Sequence, residues 1–188
     1  MNVYDFDKTI YNGDSTIDFY FYCLGGKPSV LSCIFRQLHG IFLYAAGRTD
    51  TKAMKESFFT FLKRIADPED VVVSFWESHR DKIKPWYLRQ KEDSDVVISA
   101  SPSFLLAPIC KDLGIDGLIA TEMQISTGKI TGENCKGEEK VRRFSQRYPD
   151  AHIKKFYSDS LSDQPLADIA QSAYIVKGSA IIPWEREH

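Results

Sequence analysis

The sequence predicts an α/β protein, a doubly wound parallel sheet with helices on both faces and a helical insert after the first strand. Three observations carry that prediction. From residue 95 onwards, short apolar runs rich in β-branched residues alternate with helical segments, the pattern of a parallel sheet. A further apolar run, Val3-Tyr4-Asp5-Phe6, opens the chain, so one strand precedes all of these. Between the two lies a long stretch of purely helical texture. The expected organisation is a core of residues 1–14 and 85–188, with residues 15–84 forming an inserted helical cap.

Composition is consistent with this. At 188 residues the chain makes one domain, or one domain carrying an insert. A hydrophobic fraction of 43% is ample for a core, and 24 Lys and Arg against 26 Asp and Glu leave a formal net charge of −2. No global charge field recruits nucleic acid. The four cysteines, Cys23, Cys33, Cys110 and Cys135, form no C-x-x-C pair, which argues against a zinc site. Acids at positions 5 and 7 do not suit a secretory signal, so reduced thiols and a cytoplasmic location are expected.

In chain order, residues 2–6 form the first strand, and Tyr11-Asn12-Gly13-Asp14 turns into a helix that Asp14 caps. That helix runs from Thr16 to Leu24 and stops at Gly25-Gly26-Lys27-Pro28. The run from Ser29 to Ala46 is strongly apolar, interrupted only by Arg36, Gln37 and His39, and is too short and too interrupted to span a membrane. It reads as a buried or interfacial helix. Asp50 or Thr51 opens a third helix to about Ile65, with Met54, Phe58, Phe61, Leu62 and Ile65 at spacings of three and four. Asp67 caps a fourth, with Pro68 at its first position. Val96-Val97-Ile98 is a buried strand, followed by Ser99-Ala100-Ser101 and a helix from Pro102 to Leu113. Strands are expected over Leu118–Met123, Gln124–Ile130, Ile153–Tyr157 and Ala173–Val176, and helices over Glu138–Tyr148 and Leu161–Ala170.

In open parallel sheets, ligands bind beyond the carboxyl ends of the strands. The residues just past each expected strand form a coherent set: Asp5 and Asp7, then Ser99 with Ala100 and Ser101, then Asp159 and Asp163. Lys136 and Lys140 open the helix before the last of these. Crowded carboxylates are relieved by a proton or a cation. Acids, a hydroxyl and ammonium groups on one edge suit a metal-bound phosphate. An acid can attack phosphorus while a metal and a lysine neutralise the oxygens.

Asp-x-Asp-x-Thr, a strand ending in Ser, a Lys and then Asp-x-x-x-Asp together resemble the four motifs of the haloacid dehalogenase superfamily of phosphohydrolases, in the same order and over nearly the whole chain. The insert resembles the helical cap of its phosphoserine-phosphatase-like branch (subfamily IB). The runs Gly132-Glu133-Asn134-Cys135-Lys136-Gly137-Glu138-Glu139-Lys140-Val141 and Tyr157-Ser158-Asp159-Ser160-Leu161-Ser162-Asp163 look closer to the phosphatidylglycerophosphatase-C-like set. The resemblance implies a Rossmann-like core and a Mg²⁺-dependent phosphatase. Asp5 is then the nucleophile, Asp7 the general acid and base, and Ser99 the phosphoryl-binding hydroxyl. Thr9 braces the loop, and Ala100 and Ser101 help to hold the phosphoryl group. Mg²⁺ is expected on Asp5, the Asp7 carbonyl and Asp159, with Asp163 as a further ligand or as the lysine's partner. The catalytic lysine is Lys136 by the phosphoserine-phosphatase pattern and Lys140 by the other, and Lys140 is favoured.

Asp14 reads as a helix cap, the plainer role, whereas the resemblance to phosphoserine phosphatases implies a substrate-reading acid at this position. Arg48, like Arg36, His39, Lys52 and Lys55, is a basic residue of the insert that can read a charged group. The expected substrate is a small phosphorylated metabolite or a lipid-like phosphate, because the apolar run permits a hydrophobic substrate or weak contact with a membrane surface. The alternatives are a phosphotransferase or mutase on the same core, and a non-catalytic phosphate-binding regulatory domain.

Overall fold

A computed structural model describes residues 1–185. Its strands are β1 (Asn2–Tyr4), β2 (Val96–Pro102), β3 (Gly117–Thr121), β4 (Met123–Gln124), β5 (Lys129–Ile130), β6 (Lys155–Ser158), β7 (Ser172–Lys177) and β8 (Ala180–Pro183). The α-helices are α1 (Ser15–Gly26), α2 (Ile34–Ala45), α3 (Thr51–Phe58), α4 (Pro68–His79), α5 (Pro85–Gln90), α6 (Ser103–Asp112), α7 (Glu138–Arg147) and α8 (Gln164–Ile169).

Six strands form one sheet in the order β3-β2-β1-β6-β7-β8, parallel except for the β7–β8 pair. Alternation along the strands divides the core in two. Tyr4, Val97, Tyr157 and Val176 point to one face and join the larger apolar cluster with Phe19, Phe75, Leu105 and Leu106. Val3, Val96, Ile98, Phe156 and Ile175 point to the other and pack with Phe144, Leu166 and Ala167. A period of two with apolar residues on both faces is what a sheet covered on both sides requires. Across the first face, Tyr4 stacks on Tyr157 at 4.9 Å and Tyr157 on Tyr174 at 5.0 Å. The chain proceeds from β1 outward to β3 on one side and from β6 outward on the other, so the strand order reverses between β1 and β6. The carboxyl edge beside that reversal is the usual ligand crevice.

Several expected elements take a different form. The second strand does not stop at Ile98. It continues to Pro102 through a register irregularity between those two residues. Residues 123–130 make a small antiparallel hairpin, β4–β5, outside the main sheet. Its Gly128 has φ +70, and a Cβ there would lie 2.5 Å from the Phe59 carbonyl oxygen. Only glycine satisfies both conditions. The expected third helix breaks at Phe58 into a 3₁₀ segment, Phe59–Arg64. Asp50 and Asp14 cap their helices through side-chain bonds to Ala53 N and Ile17 N, whereas Asp67 occupies the cap position without one. The 15–84 run is followed by a further short helix, α5, and β8 adds an antiparallel edge strand beyond the last expected one. Helix α2 is not buried: among its described residues only Gln37 and Gly40 turn inward.

Candidate active site

The chain leaves β1 and turns back on itself within a few residues. Ile10 N and Tyr11 N both donate to the Phe6 carbonyl, Lys8 N donates to Gly13 O, and Lys8 takes φ +56 at the tip. A lysine with positive φ is an uncommon conformation that surrounding structure must hold. Here Lys84 holds it, donating from Nζ to Lys8 O and, at 2.7 Å, to Gly178 O in the β7–β8 turn. This loop sets Asp5 and Asp7 on the floor of a cleft of about 470 Å³.

Lys140 is the centre of that floor. Its Nζ donates to Asp5 Oδ1 and to Asp163 Oδ2, each at 2.7 Å, with its side chain only 2% exposed. Ser158 Oγ donates to the same Asp163 oxygen at 2.7 Å. Burial lowers the proton affinity of Lys140, but the two carboxylates outweigh it and hold the ammonium above its ordinary value. Asp5 is pushed up to about 7 by burial, against the pull of Lys140 and with Asp163 adding to the rise. Asp7 is raised to about 6, by burial and by Asp14, while hydrogen bonds from Ser101 and Ser15 oppose the shift.

Asp7 is held at both oxygens. Ser15 N, at the start of α1, donates to Oδ1 at 2.6 Å, and Ser101 Oγ donates to Oδ2. Thr16 Oγ1 lies 3.2 Å from Ser101 Oγ, and Ser101 N donates to Ser99 Oγ at 3.1 Å. The Ser99 hydroxyl therefore keeps its own proton for a ligand in the cleft. Lys55, on α3, donates to Ala100 O and Asn134 Oδ1, both at 2.7 Å, and burial lowers its pKa to about 8, with Asp7 opposing and Lys136 reinforcing. Thr121 Oγ1 completes that corner, bonding to Ala100 O at 2.8 Å and accepting from Cys135 N at 3.0 Å. The remaining wall is apolar and includes Ile17, Ile41, Tyr44, Met54 and Phe58.

The cleft suits a hard cation. Asp5 has one oxygen on Lys140, leaving the other for a further partner. Asp159 lines the same cleft, and its carboxyl is raised by burial while Lys8 opposes. Among the described residues no three acidic, histidine or cysteine side chains gather as a ready-made metal cluster. A cation there would draw on two carboxylates and on main-chain, water or substrate oxygens, a donor set that suits Mg²⁺.

Of the expected site residues, Asp5, Asp7, Asp14, Ser99, Ala100, Ser101, Lys136, Lys140, Asp159 and Asp163 all line the cleft. Asp163 pairs with Lys140, one of its two expected roles. Two expectations change. Thr9 is fully buried and its Oγ1 has no hydrogen-bond partner among the described residues, so main-chain bonds brace the loop instead. Arg48 is exposed beyond the end of α2 and is not among the residues that line the cleft. Lys136 is exposed at the cleft wall, unlike the enclosed Lys140. The bond from Ser101 to Asp7 and the anchoring lysine Lys84 were not read from sequence. The sequence marks Lys55 only as one of several basic residues on the helical insert.

A family model described as haloacid dehalogenase-like hydrolase matches residues 3–168. A protein of Mycobacterium tuberculosis, named a probable phosphatase, is 29% identical, with 92% of this chain and 67% of that protein covered. Among solved structures, a Bordetella pertussis protein of unknown function superposes with a TM-score of 0.75 at 21% identity, covering 92% of this chain and 87% of that one. A phosphoserine phosphatase captured as a phospho-aspartyl intermediate analogue gives 0.56 at 18% identity, covering 91% and 83%. At those identities the two structures speak to fold alone.

Proposed function

The chain belongs to the haloacid dehalogenase-like hydrolases, and we propose that it is a Mg²⁺-dependent phosphomonoester phosphatase working through an aspartyl phosphate on Asp5. The observation that carries this reading is the buried lysine shared by Asp5 and Asp163 at 2.7 Å each, with Asp7 held over the same cleft. A carboxylate oxygen of Asp5 attacks phosphorus. An O–P bond forms to Asp5 as the ester O–P bond breaks, and Asp7 gives its proton to the departing alkoxide. Asp7 then takes a proton from water as that water attacks phosphorus, the Asp5–phosphorus bond breaks and inorganic phosphate leaves. Ser15 N and Ser101 Oγ keep the Asp7 carboxyl aimed throughout. Its raised pKa, about 6, keeps a protonated fraction available for the first step. The Ser99 hydroxyl and Lys140 serve the phosphoryl oxygens. Bound at Asp5, Asp159 and the Asp7 carbonyl, Mg²⁺ would supply further positive charge to those oxygens.

The substrate is a small phosphomonoester. The wall formed by Ile41, Tyr44, Met54 and Phe58 favours one with an apolar or lipid-like portion, and the exposed Lys136 supplies positive charge at the wall. Release of inorganic phosphate from an aryl phosphate, dependent on Mg²⁺ and abolished by chelation, is the expected result. No release at any pH between 5 and 9 (about the range over which Asp5 and Asp7 change charge) would exclude the reading. A product in which phosphate has moved to an added alcohol, with none released to water, would assign the protein to phosphoryl transfer instead.

A further inference from the structure

We propose that the outward face of α2 docks this protein onto an anionic membrane surface. The helix is amphipathic in the reverse sense for a helix facing water. Its inward residues are Gln37 and Gly40, whereas Phe35, Leu38 and Phe42 are 84%, 55% and 63% exposed. Those three stand at i, i+3 and i+7, so they form one stripe. A helix on the surface of a water-soluble domain turns such a stripe to the core. Here the packing prevents that rotation. The Gln37 side chain donates to Phe58 O at 2.9 Å and accepts from Tyr20 Oη at 3.0 Å. Against α3, a Cβ on Gly40 would lie 2.5 Å from Ser57 Cβ, so this side of the helix is seated closely.

Charge selects the occupant. Residues 19–49 contain no Asp or Glu but include Lys27, Arg36, His39 and Arg48, in a chain whose overall charge is −2. A second copy meeting this face with its own would set cations against cations with no acid from the segment to pair them. A bilayer carrying anionic headgroups supplies both the countercharge and an apolar layer for the phenylalanines. The helix has 12 residues, and no helix among the described residues is long and apolar enough to cross a membrane. It therefore lies in the plane of the interface. Ile41 and Tyr44 of the same helix line the cleft, so docking brings the mouth of the cleft beside the headgroups. The docking does not depend on the phosphatase reading.

The full chain is sedimented with vesicles of phosphatidylcholine, with and without about one third phosphatidylserine. Binding at least about tenfold tighter to the anionic vesicles is expected, since each basic side chain near such a surface adds appreciably to binding. High salt weakens it. Phe35→Ser with Phe42→Ser abolishes binding, and Lys27→Glu with Arg36→Glu weakens it. All four side chains are exposed and outside the cleft lining, so both variants keep the wild-type far-UV circular dichroism. Wild-type protein that stays in solution with anionic vesicles overturns the proposal, and so does a double phenylalanine variant that binds like wild type. Self-association that depends on Phe35 and Phe42, without vesicle binding, assigns the face to a second copy and also overturns it. Vesicle binding by a protein that hydrolyses no phosphomonoester upholds the docking and removes the proposed chemistry. Hydrolysis without vesicle binding does the reverse.

Discussion

Replacing Lys140 by methionine removes the ammonium while keeping an unbranched side chain of similar reach. In the wild type that ammonium is 2.7 Å from two carboxylates and its side chain is 2% exposed. Breaking a buried ion pair by removing one partner costs about 3–5 kcal/mol, because the other charge is left uncompensated. Two carboxylates lose their shared cation here, so the loss belongs at the upper end of that range at pH 8 in metal-free buffer. At pH 5 it is smaller. Asp5 already has a pKa of about 7 in the presence of the lysine, pushed up by burial, and without Lys140 it rises further. A carboxyl whose folded pKa exceeds its unfolded value contributes stability that is full below the unfolded pKa and is lost as pH rises through the folded one. The variant's deficit against wild type is therefore smaller at pH 5 than at pH 8. Urea unfolding at the two pH values reads the difference. In parallel, kcat/KM for an aryl phosphate falls by about 10²–10³, the effect of losing one preorganised charge at a transition state. Lys136→Met, altering an exposed residue, changes both quantities far less. Equal unfolding midpoints for wild type and Lys140→Met at both pH values would refute the reasoning, as would a larger activity loss in Lys136→Met.

Ser101→Ala removes the hydroxyl that donates to Asp7 Oδ2, lowering kcat by about tenfold or more with little change in KM. It also raises the Asp7 pKa above its present value of about 6, moving the pH profile upward, and an unmoved profile with intact kcat would contradict that role. Gly40→Ala forces a methyl group against Ser57, costing about 1–3 kcal/mol, so an unchanged Tm would show that α2 and α3 are not seated as described. Mg²⁺ raises the Tm of the wild type more at pH 8 than at pH 5, because Asp5 and Asp7 must lose their protons for the cleft to reach full negative charge. Asp159→Asn reduces that rise, and an unaltered Mg²⁺ titration in this variant would remove Asp159 from the proposed ligands.

Much of the architecture was legible because strand ends announce themselves. The β-branched run at residues 96–98 and the apolar runs at 2–6 and 153–157 locate the strands; Asp5 and Asp7 stand at the end of the first in the chain, Ser99 directly after the second and Asp159 just past the third. Lys140 became prominent through a resemblance rather than through periodicity, and burial between Asp5 and Asp163 then distinguishes it from Lys136. The contact of Ser101 with Asp7 was hidden because the irregular end of β2 brings together residues 94 positions apart. Lys55 reaches Asn134 across 79 positions, and Lys84 anchors the loop at Lys8 from 76 positions away. Neither separation leaves a local pattern. For α2, the sequence shows a strongly apolar run but not which of its sides turns outward. The inward turn of Gln37 and Gly40 depends on partners in α1 and α3. The edge strand β8 is short and exposed throughout, so it lacks the buried alternation by which a strand is recognised.

The most direct test of the central claim is mass analysis of acid-quenched protein during turnover of an aryl phosphate with Mg²⁺, in the wild type and in Asp7→Asn. Without the Asp7 carboxylate to activate water, the second step slows, and a good leaving group still permits the first. The account predicts one phosphoryl group on the peptide that contains Asp5, more abundant in Asp7→Asn than in wild type and absent from Asp5→Asn. A phosphoryl group on any other residue, or none in either protein while phosphate is being released, would contradict it.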